Sequence, residues 1–187
     1  MSENKKYELL KDDTITTLSG KTLYRIKALV AIGLLVAPGE LGGYIEKESN
    51  LSVSGNAWVY GDARVYGDAR VYGDARVSGN AWVSGDARVY GDARVYGDAR
   101  VSGNAWVYGD ARVKTRSDIQ WFSHVGSEGG TLTVCKAKRG LFVSRGCFSG
   151  TLPQLKKAVK AKHGDSKYGR HYAALIQSIE IWFGEEK

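Results

Sequence analysis

The chain has 187 residues, 43% of them hydrophobic, with a net charge of +7 and two cysteines. That length allows one or two modest domains with a real core, and the cysteine count gives no basis for a disulfide framework, which fits a reducing compartment. The polar start MSENKKYELLKDD lacks a signal-peptide core, and the longest apolar run, ALVAIGLLVAP (28–38), is too short to span a bilayer, so the chain reads as cytoplasmic, without membrane contact.

The charge is unevenly placed. Residues 1–52 carry seven Lys/Arg and seven Asp/Glu, and residues 53–113 carry seven Arg and seven Asp, so both stretches cancel. Residues 114–187 carry thirteen Lys/Arg against six Asp/Glu, and 13 − 6 gives the whole +7.

Residues 1–44 read as an N-terminal cap. TLYRIKALV (22–30) has strand composition, and Pro38, Gly39, Gly42 and Gly43 mark a tight turn. GELGG lacks the Gly-Lys-Ser/Thr of a phosphate loop and the wider spacing of a dinucleotide fingerprint, so it reads as a turn. A cap is expected because an open β-helix end exposes unpaired backbone groups.

From Val53 the sequence repeats every six residues, and units begin at each sixth position to Val107. Position one is Val, three is Gly and five is Ala; position two is Tyr or Ser, four is Asp or Asn, and six is Arg or Trp. Arg-Val-Tyr alternates out, in, out, as a strand does. Gly followed by Asp or Asn tolerates a turn, and Ala fits inside near a corner. Three such sides close a triangle, so residues 45–113 are expected to form a left-handed parallel β-helix of about four coils, making the fold class mainly β. Ile45 and Leu51 extend the inward spacing backward from Ala57.

Residues eighteen apart then stack. Tyr72, Tyr90 and Tyr108 form one column and Arg76, Arg94 and Arg112 another; both are candidates for an oligomerisation or interaction face, because Tyr and Arg favour interfaces. Trp58, Trp82 and Trp106 are 24 residues apart and fall on three different faces, which argues against one tryptophan platform. Hexapeptide acyltransferases need a histidine base, and residues 53–113 contain no His, no Cys and no insertion. No catalytic residue, cofactor or metal site is expected.

Residues 114–187 read as a basic α+β domain, ββ(β)αα. DIQWFSHV, TLTVCKAK and LFVSRGCF read as strands; a hairpin around Lys138–Gly140 would set Cys135 opposite Val143 and Cys147 opposite Thr131, both as packed thiols. Thr151 and Gln154 form a capping-box pattern, and Gly164 ends the first helix. In the second, Tyr168, Tyr172, Leu175, Ile176, Ile179 and Phe183 make an apolar stripe. Lys136, Lys138, Arg139, Arg145, Lys156, Lys157, Lys160, Lys162, Lys167 and Arg170 stand against one acid, Asp165, and are the candidate anion- or partner-binding residues. No helix-turn-helix, zinc-ligand or RNA-recognition signature accompanies them, and His124, His163 and His171 are scattered.

LYRIKALV…GELGGYIEKESNLSVSGNAWVYGDARV (23–65) resembles a group of phage and prophage proteins with a hexapeptide β-helix behind the same lead-in, and RGCFSGTLPQLKKAV…HG…Y…Y (145–172) resembles a small C-terminal domain of phage-encoded proteins. The resemblance carries over no catalytic residues. It implies an accessory protein made in the host cytoplasm that binds and blocks host machinery. The leading expectation is a non-enzymatic binding protein. Its β-helix would be the stem of a homo-oligomer, dimer or trimer. Its basic domain would meet an anionic partner: a host protein or ribonucleoprotein such as a CRISPR effector, nucleic acid, or a nucleotide. The alternatives are a nucleotide-signal sponge, a hexapeptide acyltransferase and a virion structural component.

Overall fold

A computed structural model describes residues 6–184. The chain opens with an antiparallel hairpin, β1 (Tyr7–Thr16) and β2 (Thr22–Ala28), and β2 pairs with β3 (Leu41–Ile45). Two-residue strands follow at every hexapeptide, from β4 (Trp58–Val59) to β13 (Arg112–Val113). They stack in three parallel sheets, which makes a parallel β-solenoid of about four coils.

The inward rule holds at every repeat from Ala57 to Val113. Val59, Val65 and each later Val, with Ala57, Ala63 and each later Ala, are completely buried. Full burial of a valine contributes roughly 1.5–3 kcal/mol, so each coil carries its own core. Backbone N–H groups of one coil donate to carbonyls of the next, as in Arg70 N to Ala87 O at 2.9 Å and Tyr72 N to Val89 O at 3.0 Å. At the corners glycine takes a left-handed backbone, as at Gly73 (φ 71°), where Asp74 N also reaches the next coil at Gly91 O.

The first coil departs from the expected spacing. Ile45 pairs in register with Val65, and Leu51 bridges to Val71, twenty residues on rather than eighteen. Ile45 and Leu51 therefore occupy valine positions, not alanine positions. The two extra residues widen the corner before Ala57, and Val53 is left 53% exposed. The wide corner is tied by the Lys6 ammonium, which donates to the Ser52 and Ala57 carbonyls, while at the preceding corner Asn50 Nδ2 donates to the Gly67 and Ala69 carbonyls of the next coil. Because β3 stacks on Val65, the N-terminal hairpin continues one face of the solenoid, in the strand order β1-β2-β3 and then the repeats. Trp58 is buried beneath that hairpin, edge-on to Tyr7 at 6.2 Å.

The C-terminal segment holds four strands rather than three: β14 (Ile119–Val125), β15 (Gly130–Lys136), β16 (Leu141–Arg145) and β17 (Phe148–Gly150), in an antiparallel sheet. The β15–β16 register is one residue off the expectation. Cys135 faces Phe142, because the connection is a four-residue turn in which Ala137 N bonds Gly140 O and Gly140 has φ 63°. Cys135 is buried, but Cys147 lies in the two-residue Gly146–Cys147 turn and is exposed; both are free thiols. Burial alone pushes the Cys135 thiol up to about 12.

α1 (Leu152–His163) starts at the expected capping box: Thr151 Oγ1 accepts from Gln154 N, and Gln154 Oε1 accepts from Thr151 N. α2 (Lys167–Phe183) starts at Ser166, whose hydroxyl accepts from Gly169 N. Tyr172, Ile176 and Ile179 are buried and Leu175 and Phe183 pack beside them, but Tyr168, at the helix start, is left 39% exposed.

The sheet also closes the far end of the solenoid. Thr133 Oγ1 accepts from Trp106 N, Ser144 Oγ donates to Trp106 O, and Lys138 N donates to Asp110 O. Cys135 and Ile119 join the solenoid core. Backbone groups of the last rung thus find side-chain and backbone partners in this sheet.

Candidate interaction surfaces

Strand alternation and the eighteen-residue coil build the two columns expected on the solenoid. Tyr72 and Tyr90 stack at 4.8 Å and 5°, and Tyr90 and Tyr108 at 4.5 Å and 10°. Phe142 of β16 closes the column edge-on to Tyr108. Burial, then the neighbouring Tyr108 and Tyr72, push the Tyr90 hydroxyl well above the ordinary tyrosine range. Arg76, Arg94 and Arg112 align on the next face, one Gly-Asp corner away. Arg112 bonds the Asp92 and Ala111 carbonyls.

The tryptophans lie on three faces, as their spacing requires. Arg64 and Arg100, one coil to either side, have guanidinium carbons 5.2 and 4.1 Å from the Trp82 ring centre, and Arg88 lies 5.0 Å from that of Trp106. Trp82 and Trp106 are thus each held in cation–π contact with the arginines stacked on them.

The basic residues of the last segment divide into those with a partner within the domain and those without an ion pair. Lys136 Nζ lies 2.8 Å from Asp118, Arg145 pairs with Glu128 and donates to Val125 O, and Lys156 pairs with Glu180 across the two helices. Arg170 donates to the Asp165 carbonyl. Burial by itself would raise the Asp118 carboxyl, but bonds from Lys136 and from the Thr115 and Lys114 amides outweigh it and hold the group below the ordinary carboxylate value. Among the described residues Lys138, Arg139, Lys157, Lys160, Lys162 and Lys167 form no ion pair. Lys138 and Arg139 occupy the β15–β16 turn, Lys157 and Lys160 the outer side of α1, and Lys167 the start of α2. Lys162 turns toward an open pocket of about 450 Å³ shared with Arg145, Cys147 and His163.

The histidines are dispersed: His124 sits on the β14 bulge with φ 58°, His163 stacks on Tyr172, and His171 is exposed on α2. No group of three metal-ligating side chains occurs among the described residues. None of the described helices is long and apolar enough to cross a membrane.

The sequence reading missed one arrangement. An open cleft of about 840 Å³ lies between the Arg64–Trp82–Arg100 column, the Thr115–Ser117 turn and Trp182 of α2. Its parts come from five separate stretches of sequence, and only the eighteen-residue column could have been read in advance.

Residues 57–71, 69–85, 81–97, 87–103 and 93–109 match the family model described as YdcK Beta solenoid repeat. The likeness covers the repeats and leaves the N-terminal hairpin and the C-terminal domain outside it. No curated protein matches the chain.

Proposed function

We propose that this β-solenoid repeat protein is a non-enzymatic binding protein. The observation that carries the reading is the contrast between the two ends of the charge distribution. The repeats balance seven Arg with seven Asp, whereas among the described residues of the C-terminal domain nine cations, Lys114, Arg116 and Arg170 included, form no ion pair. In this reading Lys138, Arg139, Lys157, Lys160 and Lys167 meet an anionic partner, while Lys136, Arg145, Lys156 and Arg170 hold the domain together. The solenoid is the stem. Its tyrosine column and the neighbouring arginine column form the surface on which a second copy of the chain packs. The resemblance to phage-encoded proteins supports, as the partner, a host defence or nucleic-acid-handling complex that the protein inhibits.

The test compares the wild-type chain with a Lys157→Glu, Lys160→Glu, Lys167→Glu variant in affinity capture from host lysate, with and without nuclease. The reading expects the captured partner to be lost from the variant while its melting temperature is kept. Loss on nuclease treatment identifies nucleic acid as the anion; resistance identifies a protein surface. An unchanged capture by the variant would show that these lysines do not make the contact. For the stem, light scattering on Tyr90→Ala and Arg94→Glu variants is expected to show a smaller assembly than wild type.

A further inference from the structure

We propose that the cleft between the solenoid and α2 binds a nucleotide, its planar base on Trp182 and its phosphates on Arg64, Arg100 and Arg116. The cleft shares no residue with the lysine surface proposed above, so either reading can fail without the other. Three guanidinium groups line it, and none forms an ion pair among the described residues. Among the described residues that line it, one carboxylate stands against them, Asp98, already held by Asn80 Nδ2 at 3.2 Å. Arg64 Nε is closed off from solvent and has no hydrogen-bond acceptor. Each arginine of the repeats, Arg64 and Arg100 included, follows an aspartate in the preceding corner, and Arg116 adds a positive charge outside that balance.

The geometry selects for more than charge. Trp82 lies between Arg64 and Arg100, which keeps both guanidiniums aligned along the column and spaced by two coils. Arg116 sits on the turn just beyond the last of these coils. Across the cleft, Trp182 is fixed by its indole N–H, which donates to Ser117 O at 2.9 Å, yet it remains 51% exposed. A tethered but exposed indole is a stacking platform for a flat ring. Guanidiniums match phosphate oxygens in a bidentate fork. A phosphate alone would leave the indole uncovered, and an uncharged ring would leave the arginines unmatched. A phosphate ester joined to a base satisfies both, and the cleft volume lies in the range of small-molecule sites.

Isothermal titration calorimetry with dTDP, thymidine, inorganic pyrophosphate and a twelve-residue oligodeoxythymidylate tests this. Saturable dTDP binding is expected, about tenfold or more tighter than thymidine or pyrophosphate, with comparable loss in Trp182→Ala. Trp182→Phe should retain most of the affinity, and Arg100→Ser and Arg116→Ser should each weaken it severalfold. Both arginine positions are exposed, so these variants keep the fold even where Trp182→Ala loosens α2. Tighter binding of the oligonucleotide than of dTDP assigns the base and phosphate to a strand, and the reverse assigns them to a free nucleotide. Absence of saturable binding at millimolar ligand, or binding unaffected by all three truncating variants, would overturn the proposal.

Discussion

Lys6 shows how one side chain ties the N-terminal hairpin to the wide first corner. It is 6% exposed and donates to two carbonyls of that corner, each at 2.9 Å. Burial, partly opposed by the charge of Asp74, lowers its pKa from 10.5 to about 8. Below pH 8 the charged ammonium is present in both states, and its desolvation weighs against folding. Between pH 8 and 10.5 the unfolded chain holds more protons than the folded one, so stability rises with pH. The difference in urea stability between wild type and Lys6→Met should therefore shift in favour of wild type from pH 7 to 9.5, by on the order of 1 kcal/mol. A difference that does not move would mean the ammonium is hydrated. Asp118 has the opposite sign. Its depressed pKa contributes stability that is full above the ordinary carboxylate value and lost as pH falls through the lower folded value. Asp118→Asn should cost about 1–3 kcal/mol at pH 7, since it weakens three bonds to a buried group. Guanidinium titrations should show that cost shrinking below pH 4.

At the scale of the corner and the strand, each rung depends on the next. Gly85 has φ 66°, and a Cβ there would stand 2.9 Å from Gly103 N in the rung above; at Gly61, with φ 58°, the nearest atom would be 4.0 Å away. Alanine costs about 1–2 kcal/mol at either site for the left-handed backbone. Only Gly85→Ala also forces two rungs apart, so its midpoint in chemical unfolding should fall clearly below that of Gly61→Ala. Equal midpoints would mean that the rungs give way easily. Elements of this kind were legible from the period. Identical surroundings recur every eighteen residues, so the burial of Val and Ala and the tyrosine stack follow from counting. Counting failed where the surroundings change. Val53 fits the hexapeptide pattern, yet it sits in a corner two residues too long, and nothing in its identity marks this. The β15–β16 register turned on whether the Lys138–Gly140 region makes a three- or a four-residue turn, and one residue of slip changes every cross-strand partner. The basic residues could be counted but not sorted. The acids that neutralise Lys136, Arg145 and Lys156 lie 17 to 24 residues away in sequence. The cleft needed Trp182 to be brought across from α2, which no local pattern announces.

For the whole molecule, the fold is two closing pieces joined by a column of interchangeable coils. The hairpin covers Trp58 at one end, and the Thr133–Trp106 and Lys138–Asp110 bonds cover the other. Neither closure depends on how many coils lie between. Stability in such a stack is a sum over coils and their interfaces, so a coil can be removed only in whole units. Deleting residues 72–89 removes eighteen residues and joins Val71 to Tyr90, which restores Val-Tyr-Gly-Asp-Ala-Arg across the junction. Every later Val and Ala remains inward, and Tyr90 still stacks under Tyr108. The shortened chain should melt in one cooperative transition, at a lower temperature because one coil of buried valine and alanine is gone. Deleting residues 72–91 removes only two residues more, but it joins Val71 to Asp92 and takes the Tyr-Gly of the next corner. Val71 and Ala93 are then separated by a single residue, too few to turn from one face to the next, so the strands beyond cannot reach their rungs. That chain should aggregate or elute as an expanded species. Circular dichroism melts and size-exclusion chromatography distinguish the outcomes. Two deletions with the same behaviour would show that the coil is not the stabilising unit. The eighteen-residue deletion also bears on the cleft: it removes Trp82 and brings Arg64 directly beneath Arg100, with Trp182 and Arg116 untouched. If Trp82 serves only to space the two arginines, the shortened protein keeps its base platform and loses phosphate affinity. dTDP binding should then weaken toward that of thymidine in a protein that is otherwise folded.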